Sequence, residues 1–172
     1  HGAGDVRQLP MEQAVTFMGQ IRSAGRQKMR LPGRYWRSDK VDLATCLKKM
    51  KLVGVLAFAT VDSEGAPQIR NISAIHYEPD ALYFFTARGK NFCKELMEDG
   101  RVQILAYTKY KEMIRLSGKA YAAAENEQKK WMDIIFEEQP YLANVYPGDT
   151  REIGIIFCID KAEVEYFNLG VN

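Results

Sequence analysis

The chain has 172 residues, of which 47% are hydrophobic and 27% charged, and this is enough to bury one core of ordinary domain size. Its net charge of +2 does not by itself indicate a nucleic-acid partner. The three cysteines are far apart, a spacing that indicates neither a zinc knuckle nor a dithiol motif and favours buried thiols in a reducing compartment. No apolar run approaches the roughly 20 residues of a membrane span. We therefore expect a cytoplasmic protein with no membrane segment.

The first 40 residues are basic. They hold eight basic and three acidic residues, a charge of +5 that leaves −3 for the rest of the chain. We predict a short helix followed by a linker, and the helix rests on the spacing of Met11, Val15, Met18 and Ile21. Several partners stay open for this segment: a phosphate-bearing ligand, an acidic protein, nucleic acid, or solvent alone. We do not expect nucleic acid to be the main partner.

Residues 41–172 predict one α+β domain. Asp42 is a predicted N-cap, and apolar residues at helical spacing predict helices over 42–51, 90–98 and 125–138, with Phe92, Leu96 and Met97 facing inward. We expect five or six antiparallel strands, with helices inserted after the third and fifth, to form a small barrel. The strand segments are 53–61, 68–77, 82–86, 102–108, 113–123, 152–159 and 162–167.

Histidine scarcity limits the chemistry of this chain. Only His1 and His76 are present, which disfavours a nucleophile–histidine–acid triad and a histidine-rich metal site. The sequence contains no Gly-x-Gly-x-x-Gly motif after a strand and no Gly-Lys-Ser/Thr phosphate loop. If the protein is an enzyme, we expect a cofactor to supply its chemistry.

A candidate anion site lies at the end of the third predicted strand. Thr86 closes the strand, Arg88 and Lys90 flank a glycine, and a helix begins near Asn91. A hydroxyl, two cations and a helix N-terminus together suit a terminal phosphate. Arg70 lies mid-strand, where an arginine is costly unless it meets an anion, and it would close on the same group. The alternatives are a surface ion pair for Arg70 and a solvated helix-start lysine.

These segments, taken in order, resemble the pyridoxamine 5′-phosphate oxidase-like FMN-binding split-barrel family over about residues 41–167. The resemblance is carried by Gly-x-Pro-x-x-Arg-x-x-Ser at 65–73, Tyr-Phe-Phe-Thr at 83–86, the lysine that opens the next helix, Gly-Arg-Val-Gln-Ile at 100–104, and Ile-Arg-Leu-Ser-Gly-Lys-Ala at 114–120. It implies a six-stranded antiparallel split β-barrel. It also implies a homodimer with FMN between the subunits.

The resemblance assigns roles to individual residues. Arg70 and Lys90 are expected to bind the FMN phosphate, with Thr86 as a hydroxyl donor and Arg88 as a further contact. The other implied cofactor contacts are Asn71, Ile72, Ser73, Phe85 and Met113.

The chain departs from the true oxidases of this family. Ile75 stands where they carry a lysine, Met113 stands where they carry a flavin-facing glutamine, and the last residues lack their substrate-gripping Arg-x-His pair. Pyridoxamine 5′-phosphate is therefore not the expected substrate. We hypothesise an FMN-binding oxidoreductase that is reduced by NAD(P)H and acts on a small planar molecule. No catalytic side chain is assigned. His76, Tyr107 and Tyr110 are candidates for lining the open flavin face, and each has a core or surface position as its alternative.

A non-catalytic carrier or sensor of the same fold is the competing hypothesis, with flavin or haem as its ligand. Haem needs an axial ligand, and His76 is the one internal histidine. A deazaflavin is a third ligand class within the same resemblance.

Overall fold

The computed structural model describes residues 42–168, together with the backbone of 15–20 and 28–30. Its helices are α1 (Leu43–Val53), α2 (Asn91–Glu98), α3 (Gln128–Glu138) and α4 (Leu142–Val145), with 3-10 turns at Glu125–Glu127 and Gly148–Ile153. Its strands are β1 (Val15–Gln20), β2 (Lys28–Arg30), β3 (Leu56–Val61), β4 (Pro67–Ile72), β5 (Ile75–Glu78), β6 (Ala81–Ala87), β7 (Arg101–Tyr107), β8 (Glu112–Lys119), β9 (Tyr121–Ala122), β10 (Gly154–Ile159) and β11 (Lys161–Asn168).

The strands form two antiparallel sheets. The seven-stranded sheet has the order β2-β1-β11-β8-β7-β3-β4, and the four-stranded sheet has the order β5-β6-β10-β9. The chain passes between the sheets after β4, after β6, after β8 and after β10. The predicted α+β class is confirmed. The predicted count of six strands is not, because the part of the chain described here contains eleven strands in two sheets.

Helix α1 begins and ends where local chemistry requires. The Asp42 carboxylate accepts a hydrogen bond from the Thr45 N–H at 2.7 Å, which confirms the predicted N-cap. Gly54 terminates the helix with φ of 84°, in the left-handed region that favours glycine. The helix therefore continues to Val53, and the first core strand starts at Leu56, three residues later than the sequence predicts.

The predicted strand over 68–77 is wrong as a single element. Within β4, Ile69 and Asn71 are exposed, whereas Arg70 and Ile72 are half-buried. The chain then turns, because the Ile75 N–H donates to the Ser73 carbonyl at 2.9 Å, and it enters the other sheet as β5. A break of two residues therefore separates two strands that belong to different sheets.

Other predictions are also corrected. The strand predicted over 113–123 divides into β8 and β9, which lie in different sheets, and the predicted linker contains the strand β2. The segment expected to contain a helix from Met11 is a strand over Val15–Gln20, paired antiparallel with β11. Its β-branched and aromatic residues suit a strand, and pairing with β11 outweighs the apolar spacing. Met97 was expected to face inward and is 60% exposed. Residues 1–10 and the linker residues 31–40 lie outside the described part.

The sheets pack against two hydrophobic cores. One lies between them under α1 and α2, where Phe58 meets Phe84 edge-on with ring centroids 5.1 Å apart. The other lies under α3, where Tyr83 stacks on Trp131 at 3.9 Å. Every residue of β6 and β10 is consequently buried, whereas β7 alternates buried and exposed residues along its length. The four-stranded sheet is thus covered on both faces, and the seven-stranded sheet keeps one face exposed.

Candidate functional site

A cavity of about 480 Å³ opens where β4 leaves one sheet and α2 begins. Its floor is formed by the ends of β4 and β6, and α4 forms one wall. Seven of the nine predicted cofactor contacts line it: Arg70, Asn71, Ile72, Ser73, Phe85, Thr86 and Lys90. Residues of β4 and β6, such as Arg70 and Thr86, line the same cavity because both strands end at the junction between the sheets.

Arg70 is held by protein contacts at the edge of this cavity. Its Nη2 donates to Glu95 Oε1 at 2.5 Å, and its Nη1 donates to Thr60 Oγ1 at 2.6 Å. The guanidinium carbon lies 4.5 Å from the centre of the Phe92 ring. The predicted alternative of an ion pair for Arg70 is therefore present, although the residue also lines the cavity.

Thr86 and Lys90 provide further donors to the cavity. Thr86 is 5% exposed, and it lines the cavity. A threonine hydroxyl at this position can donate a hydrogen bond to a ligand or to water in the cavity. Lys90 is exposed and occupies the N-cap position of α2 without a capping side-chain bond. Gly89 precedes it with φ of 90°, a turn conformation that favours glycine.

The wall formed by α4 was missed in the sequence. The Tyr141 hydroxyl hydrogen-bonds the Ser73 hydroxyl, and Tyr146 lies edge-on to Phe85 with centroids 5.0 Å apart. The Lys90 ammonium lies 5.8 Å from the centre of the Tyr146 ring. The aromatic content of residues 141–146 was the available signal, but helical periodicity in a four-residue helix is too short to show which side chains face a cavity.

Two predicted contacts lie elsewhere in the same chain. Arg88 lines a groove beside α3 together with Lys129 and Asp133, and its N–H donates to the Ile153 carbonyl at 2.8 Å. Met113 lines a groove on the exposed face of the seven-stranded sheet, beside Leu105. A single chain therefore does not bring either residue to the cavity.

The candidates for lining a flavin face are also separate from the cavity. His76 Nδ1 lies 2.5 Å from Glu138 Oε1, and His76 Nε2 lies 2.8 Å from Glu78 Oε1. This arrangement links β5 to α3. Tyr107 and Tyr110 line a third groove next to α1.

The thiols and acidic groups offer no alternative chemistry here. All three cysteines are buried, and burial raises the pKa of the Cys46 thiol to about 12, which disfavours a thiolate nucleophile at this position. Residues 42–168 contain no group of three or more histidine, cysteine or acidic side chains placed to hold a metal ion. None of the described helices is long and apolar enough to span a membrane.

The fold and the cavity define an α+β protein with a cavity at a sheet junction, lined by two cations, a threonine hydroxyl and aromatic rings. Residues 47–154 match the family model described as pyridoxamine 5′-phosphate oxidase. This match spans more than half of the chain. The protein therefore belongs to the pyridoxamine 5′-phosphate oxidase family, as the sequence resemblance indicates.

Solved structures show the same fold. A NimC/NimA family protein from Clostridium acetobutylicum is 23% identical with a TM-score of 0.64, covering 76% of this chain and 87% of its own. A pyridoxamine 5′-phosphate oxidase-related, FMN-binding protein from Nostoc punctiforme is 17% identical with a TM-score of 0.57, covering 81% and 87%. A haem storage protein from Vibrio cholerae is 11% identical with a TM-score of 0.56, covering 69% and 89%. A comparison with curated proteins finds no match.

Proposed function

We propose that this protein binds FMN in the cavity between β4, β6 and α4 and uses it as an oxidoreductase. The observation that carries the proposal is that Thr86, Lys90 and Arg70 line one cavity, so that a hydroxyl and two cations lie together at the strand-to-helix junction. A phosphate supplies the acceptor oxygens that this hydroxyl and these cations require. The family membership and the FMN-binding relative support the same ligand.

The residues present fit both ends of FMN. Lys90, Thr86, Arg70 and the first N–H groups of α2 would hold the phosphate. Asn71, Ile72 and Ser73 follow along the strand end, where backbone and side-chain groups would orient the ring system. The flavin, when bound, supplies the transfer of a hydride or of electrons. The protein contributes orientation and the exclusion of water, with NAD(P)H as the reductant and a small planar molecule as the substrate.

We also propose a homodimer formed through the exposed face of the seven-stranded sheet. Ile69, Leu105 and Tyr107 are 72%, 40% and 55% exposed on this sheet, and isolated soluble chains rarely leave such a face uncovered. Met113 lies in the same face. In a dimer it would approach the cofactor site of the partner subunit, as the family resemblance implies for this position.

The domain organisation follows from the same proposal. We assign residues 41–172 to the FMN-binding domain and residues 1–40 to an N-terminal segment, of which β1 and β2 join the seven-stranded sheet. The charge of +5 on this segment suits an anionic contact. A cytoplasmic location agrees with three buried cysteines.

Haem is the second candidate ligand. It is favoured by Tyr141 and Tyr146 at the cavity, since tyrosine can ligate haem iron, and by the haem storage relative. His76 is bonded to two carboxylates and does not line the cavity. A carrier of haem would show one intense Soret band when loaded, whereas bound FMN shows two flavin bands.

A titration with FMN and riboflavin tests the proposal. These ligands share the ring system and differ in the phosphate, so the ratio of their dissociation constants isolates the phosphate contacts. We expect Lys90→Ala and Arg70→Ala each to weaken FMN binding by about 1.5–3 kcal/mol, the range for a lost charge-assisted hydrogen bond, and to leave riboflavin binding unchanged. Lys94→Ala, which removes an exposed lysine one turn further along α2, is the matched control.

The oxidoreductase step needs a separate measurement. We expect NADH or NADPH to bleach the bound flavin under anaerobic conditions, and reoxidation by an added planar acceptor to restore it. Persistent colour with both nicotinamides would contradict the proposed reductant while leaving FMN binding intact. Equal affinity for FMN and riboflavin would contradict the phosphate site itself.

A further inference from the structure

A buried carboxylate lies directly behind the proposed phosphate site. Glu95 belongs to α2, the helix whose N-terminus reaches the cavity, and it is only 6% exposed. A buried charge is costly unless it is paired and hydrogen-bonded. The partners of Glu95 therefore indicate why the residue is tolerated at this position.

Glu95 closes a three-membered polar cluster with Thr60 and Arg70. The Thr60 hydroxyl donates to Glu95 Oε1 at 2.5 Å, and Arg70 Nη2 donates to the same oxygen at 2.5 Å. Arg70 Nη1 donates to Thr60 Oγ1 at 2.6 Å. Both terminal nitrogens of Arg70 are thus bound on the side of β3 and α2. Phe92 lies against the guanidinium with 4.5 Å between its ring centre and Cζ.

This cluster leaves one edge of the guanidinium for a ligand. A guanidinium carries five N–H groups in a plane, and the Nε–H lies parallel to one Nη2–H on the same edge. No residue of the described chain accepts a hydrogen bond from Arg70 Nε. A pair of parallel donors matches two oxygens of a phosphate. Arg70 is 23% exposed at its side chain and lines the cavity that also contains Thr86 and Lys90.

We propose that Glu95, assisted by Thr60, is a positioning residue that fixes Arg70 so that its Nε–Nη2 edge binds the anionic group of the ligand. This inference rests on the proposed FMN site. It assigns a role to two residues that touch no ligand themselves. Glu95 also offsets the charge of Arg70, so that Lys90 supplies the remaining positive charge of the site.

Glu95 both orients Arg70 and adds a negative charge, and the substitutions Glu95→Ala and Glu95→Gln separate these two effects. Glu95→Ala removes the acceptor that orients Arg70, and the arginine can then adopt other rotamers. Glu95→Gln retains an oxygen acceptor at nearly the same place and removes the negative charge. A positioning role therefore predicts that glutamine rescues what alanine loses.

The experiment measures FMN and riboflavin dissociation constants for the full chain and its variants. We expect Glu95→Ala to lower the preference for FMN over riboflavin about tenfold, in line with one charge-assisted hydrogen bond. We expect Glu95→Gln to keep this preference within about threefold of the wild type or to increase it, since loss of a nearby negative charge favours phosphate. Thr60→Val is the milder variant, with an expected loss of about threefold. Glu98→Ala, an exposed carboxylate on the same helix, is the control.

A double-variant cycle separates positioning from a general loss of structure. In an Arg70→Ala background, Glu95→Ala should cause no further loss of FMN preference, because it acts through Arg70. A second tenfold loss in that background would overturn the inference. So would equal weakening of FMN and riboflavin by Glu95→Ala, or failure of glutamine to rescue. If Glu95→Ala does not fold, Thr60→Val and Glu95→Gln test the inference instead. The positioning role is contradicted if Thr60→Val leaves the FMN preference unchanged and Glu95→Gln lowers it tenfold.

Failure of the proposed FMN site can be distinguished from failure of the role assigned to Glu95. If the wild type itself shows no preference for FMN over riboflavin, the phosphate site is wrong and the inference falls with it. If the wild type prefers FMN and Arg70→Ala removes this preference, but Glu95→Ala does not, only the role of Glu95 is wrong.

Discussion

The two sheets of this protein are built from similar strands but are covered differently. The four-stranded sheet has α3 on one side and the shared core on the other, and all thirteen residues of β6 and β10 are buried. The seven-stranded sheet has the shared core on one side, and its other side exposes every second residue of β7. The first sheet is complete within one chain. The second sheet has a face that a partner can still cover.

The two sheets also differ in the contacts that attach helices α3 and α1 to them. Helix α3 packs on the four-stranded sheet through the Tyr83–Trp131 stack. Helix α1 is tied to the seven-stranded sheet by Glu112, whose carboxylate meets the Lys49 ammonium at 2.8 Å and the Tyr166 hydroxyl at 2.5 Å. The Tyr83–Trp131 stack carries no charge, and the His76–Glu138 contact adds a polar link between β5 and α3. The attachment of α1 through Glu112 depends on a carboxylate. The difference between the two sheets can therefore be tested by substitutions and by measuring stability as a function of pH.

The largest expected effect comes from the shared core. Phe84 lies fully buried in β6 and contacts the Phe58, Phe92 and Phe157 rings. Phe84→Ala should lower the free energy of unfolding by about 3–5 kcal/mol, because the cavity cannot collapse among rigid rings. Chemical denaturation measures this loss. A loss below that of an exposed substitution such as Met97→Ala would contradict the assigned core.

A substitution on the exposed face of the large sheet should act on assembly. Ile69→Asp places a charge where the proposed partner packs, and we expect it to weaken dimerisation by about 2 kcal/mol or more, as for other central interface residues. Sedimentation velocity across a range of concentrations measures the change. Met97 is also an exposed apolar residue, 60% exposed on α2, and lies outside the proposed interface. Met97→Asp should therefore leave association unchanged. A wild type that sediments as a monomer would remove the proposed interface.

The Glu112 cluster predicts acid sensitivity of the α1 attachment. Burial alone would raise the Glu112 pKa, but hydrogen bonds from Lys49, Tyr166 and Thr108 and the charge of Lys49 outweigh it, so the pKa lies below the ordinary value of 4.5. A depressed folded pKa means that this contribution is present above about pH 4.5 and is lost as the pH falls through the folded value. Glu112→Gln should lower stability by about 1 kcal/mol at neutral pH.

The acid range provides the check on this assignment. Stability curves of the wild type and Glu112→Gln, measured between pH 7 and pH 3, should converge as Glu112 becomes protonated. Asp133→Asn, an exposed carboxylate on α3, serves as the comparison. A constant difference between wild type and Glu112→Gln at every pH would show that the loss is steric.

The smallest expected effect concerns the cavity wall. Tyr141→Phe removes the hydroxyl that bonds Ser73, and because Tyr141 is 42% exposed we expect a stability change of about 0.5 kcal/mol or less. Ser73 then becomes available to the ligand, so FMN and riboflavin should both bind slightly more tightly. Unequal changes for the two ligands would show that Tyr141 acts at the phosphate and not at the ring.

Much of the fold was predictable because its signals are local. The Asp42 cap, the buried face of α1 and the long hairpin of β7 and β8 depend on neighbours within a few residues. The proposed phosphate donors Thr86 and Lys90 could be predicted to lie together, since they are four residues apart at one strand-to-helix junction. The family resemblance added Asn71, Ile72 and Ser73 to the same cavity.

The remaining features depend on distant contacts. The division of the 68–77 segment between two sheets follows from which partners β4 and β5 find, and no local pattern specifies those partners. The same holds for the Val15–Gln20 strand, which forms against β11 at the far end of the chain.

The sequence alone therefore determined the α+β class and the family, and it predicted a candidate anion site at a strand-to-helix junction, because these follow from short motifs and local patterns along the chain. Tertiary structure decided that Arg70 meets Glu95, 25 residues away, that α4 walls the cavity, and that Arg88 and Met113 face other grooves. Such choices depend on how elements pack in three dimensions, and packing is a property of the whole fold rather than of any segment.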